Sequence, residues 1–166
     1  MAYTPNYPYR VFRYSVEFGA QAGFARTSFT EVSGMNMSAD PIEYREGDDL
    51  RNTPRKYPGI VKFGNVTFKW GVCGGTDDGL LAWIRGIYPD NTANPTGRVH
   101  CNITVTLIGE DSNPGRSWEL INCWPVSYNI PDLSGLGSEM AIQSLEVCCE
   151  GIWEVSAGGE AGTSVE

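Results

Sequence analysis

The period-two pattern is cleanest in Val99-His100-Cys101-Asn102-Ile103-Thr104-Val105-Thr106-Leu107, where every odd position is apolar and every even position polar. Successive side chains of a strand point to opposite faces, so this spacing predicts a β-strand with one dry and one wet face. One-sided strands of this kind belong to antiparallel sheets. Outward from it the same alternation recurs in Val66, Phe68, Trp70 and Val72, in Phe12, Tyr14, Val16 and Phe18, and in Trp124, Val126, Tyr128 and Ile130. Residues 24–33 and 35–44 read as two further strands joined at Ser33-Gly34, with weaker alternation. The stretch 139–153 reads as one strand whose apolar set moves from even positions (Met140, Ile142) to odd ones (Leu145, Val147, Cys149). A phase change of one residue predicts a bulge or corner near Ser144, through which one strand can serve two sheets. Only 76–87 has helical spacing: Leu80, Trp83, Ile84 and Ile87 form a stripe, Thr76, Asp77 and Asp78 offer a cap, and Gly86 offers a stop. The expected fold class is therefore all-β with one short α-helix, an antiparallel β-barrel or two packed sheets, with the helix plugging one side.

The chain has 166 residues, a length suited to one domain, expected over 1–155 with a disordered Gly/Ala/Glu/Ser-rich tail over 156–166. Twelve basic against 20 acidic side chains give a net charge of −8, which excludes a nucleic-acid binder held by bulk charge. The N-terminus lacks the basic start and apolar run of a signal peptide, and no segment has the length of a membrane span, so synthesis and assembly in the cytoplasm are expected. The five cysteines, Cys73, Cys101, Cys123, Cys148 and Cys149, include no C-x-x-C pair and read as reduced, mostly buried side chains.

Catalytic patterns are missing. His100 stands on the polar face of its strand without a spaced partner and reads as a surface or interface histidine. Ser134-Gly135-Leu136-Gly137-Ser138 lacks the lysine of a phosphate loop and reads as a turn. Asp48-Asp49 and Asp77-Asp78 fit a solvated loop and a helix start. The Trp at 70, 118 and 124 fall in strand patterns and read as core. No catalytic, metal or cofactor site is expected. Residues 45–58 are the exception to the ordinary connectors: longer and denser in charge than a connection requires.

Glu43-Tyr44-Arg45-Glu46-Gly47, Arg55-Lys56-Tyr57-Pro58-Gly59 and Gly64-Asn65-Val66-Thr67-Phe68-Lys69-Trp70-Gly71-Val72 are followed by Trp118, Asn122-Cys123-Trp124-Pro125, Pro131-Asp132-Leu133 and Glu139-Met140-Ala141-Ile142 with Leu145-Glu146. In order and spacing this series resembles the phage tail tube family, the T4-type and Hcp-like inner tube proteins of contractile injection systems. The resemblance implies a structural subunit of a rigid inner tube: hexameric rings stacked around a central channel. Its implied partners are other copies of itself, a sheath, baseplate or spike proteins, a tube terminator and lumen cargo. Within that reading Tyr44, Arg45, Glu46, Asp48, Asp49, Arg51, Arg55, Lys56 and Tyr57 are the expected ring-stacking loop, and the acidic excess is expected to line the lumen. The alternative is a β-sandwich that binds a small ligand or glycan through aromatic side chains.

Overall fold

A computed structural model describes residues 8–19, 26–72, 78–86, 100–110 and 112–156. Along them run β1 (Tyr14–Phe18), β2 (Arg26–Thr27), β3 (Glu31–Ser33), β4 (Met37–Tyr44), β5 (Arg55–Phe63), β6 (Val66–Gly71), α1 (Asp78–Arg85), β7 (Cys101–Ile108), β8 (Pro114–Asn129), β9 (Ile142–Cys148) and β10 (Gly151–Ser156). All strand pairings among the described residues are antiparallel. Eight strands form one ladder, β2-β1-β7-β8-β9-β6-β3, with β10 beside β8 and β4-β5 as a separate ribbon.

The ladder folds over at β8. Its first part pairs with β7 and β10, and its second part, from Trp124, pairs with β9. The bend falls at Asn122, which takes the left-handed region at φ 54°, a conformation that asparagine tolerates better than bulkier residues. Its N–H donates to Asn102 Oδ1 at 3.1 Å, and Glu150 N–H donates to the Ile121 carbonyl at 3.0 Å, so the corner's polar groups are used. Folding brings β1 against β6: the rings of Phe18 and Phe68 lie 6.2 Å apart, and Phe29 lies 5.1 Å from Phe68. The core consists of Val16, Ile103, Val105, Leu120, Leu145 and Val147 with these aromatics, closed on one side by Leu80 and Trp83 of α1. Trp83 meets Phe18 edge-on at 5.7 Å, and Gly86 N–H donates to Ala82 and Trp83 carbonyls where the helix stops. Thr76, Asp77 and Ile87, and the expected tail beyond Ser156, lie outside the described residues.

Several sequence expectations are corrected. The corner is not near Ser144 but in β8, and 139–153 is two strands separated at Cys149-Glu150. Met140 is exposed and Ile142 half out, so their even positions never joined the dry face; Leu145, Val147 and Cys149 keep one phase throughout. In β8 the apolar set Trp124, Val126, Tyr128 is not one face. A bulge between Pro125 and Ser127 puts Pro125 and Tyr128 inward, opposite Val147 and Leu145, and leaves Trp124 and Val126 exposed. Of the three tryptophans read as core, Trp70 is buried, Trp118 half-buried and Trp124 exposed. The expected strand over 24–33 is two short strands, β2 on β1 and β3 on β6, at opposite ends of the folded ladder. At Gly34, φ 87°, the chain leaves the ladder for the ribbon; a side chain there would strike the Asn65 carbonyl.

Candidate assembly surface

The β4-β5 ribbon is built from residues with no dry face: all of β4 and nearly all of β5 are exposed. Its register pairs Met37 with Phe63, Ala39 with Val61, Ile42 with Tyr57, Glu43 with Lys56 and Tyr44 with Arg55, with an irregularity between Ala39 and Pro41. Because directly opposed residues share a face, Ile42, Tyr44 and Tyr57 make one exposed apolar strip near the tip. Ion pairs run along the ribbon: Lys62 with Asp40 at 2.6 Å and Lys56 with Glu43 at 3.2 Å. The expected loop over 45–58 is therefore shorter than its charge pattern implied. Arg55, Lys56, Tyr57 and Pro58 are strand, hidden from a periodicity reading because both their faces meet solvent.

The tip, 45–54, is held by its own charges. Arg45 donates through Nε to the Arg51 carbonyl at 3.2 Å and through Nη2 to the Asp49 carbonyl at 3.5 Å. Asp49 Oδ1 accepts from Arg51 N–H at 3.3 Å, and its other carboxylate oxygen lies 3.6 Å from Arg55 Nε. Tyr44 Oη donates to Glu46 at 3.1 Å. The geometry thus gathers Tyr44, Arg45, Glu46, Asp49, Arg51 and Arg55 into one small structure. The Asp48 side chain and Leu50, the latter fully exposed, stand out from it.

Both outer faces of the folded ladder carry paired polar side chains, beside the exposed Trp124, Val126 and Trp153. On the first, Thr106 and Ser117 hydroxyls lie 3.0 Å apart and Asn102 donates to Glu119 at 3.1 Å. On the second, Lys69 bridges to Glu31 at 3.1 Å and Asn65 donates to Glu146 at 2.8 Å. His100 is half-buried, with Nδ1 3.5 Å from the Asn122 carbonyl at the β8 corner. The 134–138 segment is a turn, closed by Gly137 N–H to the Ser134 carbonyl at 3.2 Å.

Cys101, Cys123 and Cys149 are buried, Cys148 is half-buried, and all four are free thiols; Cys73 lies outside the described residues. Cys101 and Cys123 are directly opposed across β7 and β8. Burial pushes the Cys101 thiol up to about 12 and the Cys123 and Cys149 thiols upward too, so little thiolate, the reactive form, is present near neutrality. Alkylation of the folded protein at pH 7.5 is expected to spare Cys101, Cys123 and Cys149, and denaturation should release every one of them as a free thiol by mass spectrometry. A Cys101–Cys123 disulfide in fresh protein would contradict this. The unfolded chain ionises Cys101 near its ordinary 9.0 while the folded chain holds it protonated to about 12. The thiol's stabilising contribution is therefore complete below pH 9 and declines as pH rises toward 12, and Cys101→Ala should flatten that alkaline decline in urea midpoint.

No helix among the described residues is long and apolar enough to cross a membrane. The sequence model of the family described as T4-like virus tail tube protein gp19 matches residues 10–153. No curated protein matches. Among solved structures, a chain of an extracellular contractile injection system, the PVC sheath-tube complex in its extended state, is 26% identical with TM-score 0.76, over 91% of this chain and 93% of that one. A chain of the anti-feeding prophage tube-terminating cap is 25% identical with TM-score 0.78, over 95% and 97%. A chain of the PVC sheath/tube terminator in its extended state is 26% identical with TM-score 0.77, over 92% and 100%. Since the family pattern spans both halves of the folded ladder, the ribbon and the helix, and the same fold recurs in these particles, the chain belongs to the T4-like virus tail tube protein gp19 family and is a structural tube subunit of a contractile injection system.

Proposed function

We propose that copies of this chain close into hexameric rings and that the rings stack into the rigid inner tube, inside a sheath and between a baseplate and a terminator. The observation that carries this reading is the β4-β5 ribbon. A two-stranded ribbon alone in water is marginally stable, and here both faces and both long edges are open among the described residues, with Ile42, Tyr44, Tyr57, Ile60 and Val61 exposed. Such edges pair readily with another chain. A repeated contact between unlike surfaces closes a ring, and a second, axial contact stacks it. The solved relatives are chains of sheath-tube, terminator and cap assemblies, which supports sheath and terminator as partners here. The six-fold count follows from the tail tube resemblance.

In this reading 1–155 is the single structural domain, made in the cytoplasm, and the particle acts at or beyond the cell surface. The paired polar and charged side chains on the outer faces of the ladder suit a hydrated channel wall past which cargo slides. The acidic lumen is part of the same proposal; Glu160 and Glu166 lie outside the described residues. Purified full-length protein, alone and mixed with its sheath and baseplate proteins, is expected to give rings or tubes by electron microscopy and a concentration-dependent sedimentation coefficient. A monomer under all of these conditions overturns the reading.

A further inference from the structure

The connection between β8 and β9, residues 130–141, carries apolar side chains that its own protomer leaves uncovered. Leu136 is 100% exposed, Met140 89% and Leu133 86%. Leu136 sits on the 134–137 turn, closed by Gly137 N–H to the Ser134 carbonyl. The segment also holds Asp132 and Glu139 and no basic residue. Three bulky side chains displayed on one short acidic connection are more than scattered surface hydrophobicity explains.

A complementary surface lies elsewhere on the same chain. Met35, Met37, Trp118 and Ile152 line an open groove of about 330 Å³, with Asn36 as its polar member. Pockets for small ligands run to about 300–1,000 Å³ and fix their ligands with several convergent polar groups. This groove is at the lower end of that range and offers one, so its chemistry fits apolar side chains better than a metabolite. Two methionines make its wall adaptable to the shape of an inserted side chain. Arg116 stands two residues before Trp118 on the same strand face, in an exposed pair with Glu154, so the rim of the groove carries balanced charge and does not repel an acidic segment.

Knob and groove do not meet within one protomer: Leu136 is fully exposed, and no residue of the connection lines the groove. The groove's Met35–Met37 side adjoins the start of β6, where Gly64 N–H donates to the Asn36 carbonyl. The connection adjoins the end of β6, where Val72 N–H donates to the Ala141 carbonyl and Gly71 opposes Ile142. Five residue steps of about 3.3 Å separate those ends, roughly 17 Å. We infer that the β8-β9 connection of one copy inserts Leu136, flanked by Leu133 and Met140, into the Met35/Met37/Trp118/Ile152 groove of a neighbouring copy. The contact is between unlike surfaces, so it repeats from copy to copy without self-limiting at a dimer. The inference rests on the self-assembly proposed above and names two of the surfaces that perform it.

The test uses the full chain with Leu136→Cys and Met37→Cys together, each alone, and the wild type, all assembled and then oxidised. Both positions are exposed, so folding is expected to be unaffected by circular dichroism. The double variant is expected to give a covalent ladder well beyond dimers on non-reducing gels, while each single variant and the wild type give none. Leu136→Ser with Met140→Ser is expected to raise the protein concentration needed for assembly at least tenfold. Rings or tubes of the double variant without a ladder overturn the inference and leave the tube reading intact. A ladder equally strong from Leu136→Cys alone also overturns it, because the connection would then meet something other than the groove. Wild-type protein that stays monomeric overturns the tube reading and this inference together.

Discussion

Phe68→Ala is expected to lower the stability of the protomer by about 3–5 kcal/mol, the usual cost of removing a buried phenyl ring and leaving its cavity. Phe68 is 0% exposed, and it lies where the folded ladder closes: its own strand is held between β3 and β9, and its ring meets Phe29 and Phe18. Phe18 comes from the opposite half of the ladder, so the lost ring is one of the aromatic contacts that join the two halves, beside Phe29, which meets Phe18 at 6.0 Å. Domains are stable by about 5–15 kcal/mol, so the loss is a large fraction of the whole. For a domain of this size it corresponds to a melting temperature lower by about 6–20 °C. The measurement is urea and thermal unfolding at concentrations below those that assemble, since assembly stabilises the folded state by mass action. Val11→Ala, at an exposed position, should change stability by less than about 0.5 kcal/mol and serves as the control. A cost below about 1 kcal/mol at Phe68 would mean that the two halves are not joined through it.

The parts of the fold that show in the sequence are those where one strand face is dry. Val66, Phe68 and Trp70, and Cys101, Ile103 and Val105, alternate in sequence because they alternate between core and solvent, and all six are buried. The helix shows for the same reason, through Leu80 and Trp83. What the alternation hides are the places where the backbone changes face or has no inside. Asn122 and the bulge after Pro125 each reset the phase of β8, so its first half shows only through Trp118 and the apolar set of its second half is split between two faces. The ribbon carries no period at all, because nothing in a single protomer gives it an inside. Its residues resemble a charged loop for the same physical reason that they suit a contact with another chain. The β8-β9 connection is the converse case: Met140 belongs to a strand's apolar set in the sequence and is exposed in the protomer, with Leu133 and Leu136 exposed beside it. Where a subunit buries apolar surface on assembly, hydrophobicity alone does not separate interior from interface.

Replacing 48–53 by a short Gly/Ser linker, or changing Arg51→Glu and Arg55→Glu together, is expected to leave folded protomers and rings while stopping their growth into tubes. This rests on the proposal that the ribbon tip makes the ring-to-ring contact. Within one protomer the tip stabilises little beyond itself: its hydrogen bonds are exposed and local, the Asp49–Arg55 pair is local with its arginine exposed and its aspartate half-buried, and no tip residue belongs to the core cluster. Exposed ion pairs contribute about 0.2–1 kcal/mol each, so their loss is small against the stability of the domain. What they do is hold the tip in one shape, with Asp48 and Leu50 presented outward and Ile42, Tyr44 and Tyr57 lined up at its base. A pre-ordered tip loses less conformational freedom on docking than a loose loop, and in a closed ring several identical tips dock at once, so weak contacts multiply. The linker removes both the shape and the charges, whereas the double reversal keeps the length, breaks the Arg55 pair and places like charge beside Asp48 and Asp49. Circular dichroism and melting temperature should be unchanged to within a few degrees in both variants, and electron microscopy should show rings without tubes. Full-length tubes from either variant would assign stacking to other residues. Loss of the fold in both would make the tip part of the protomer's own framework.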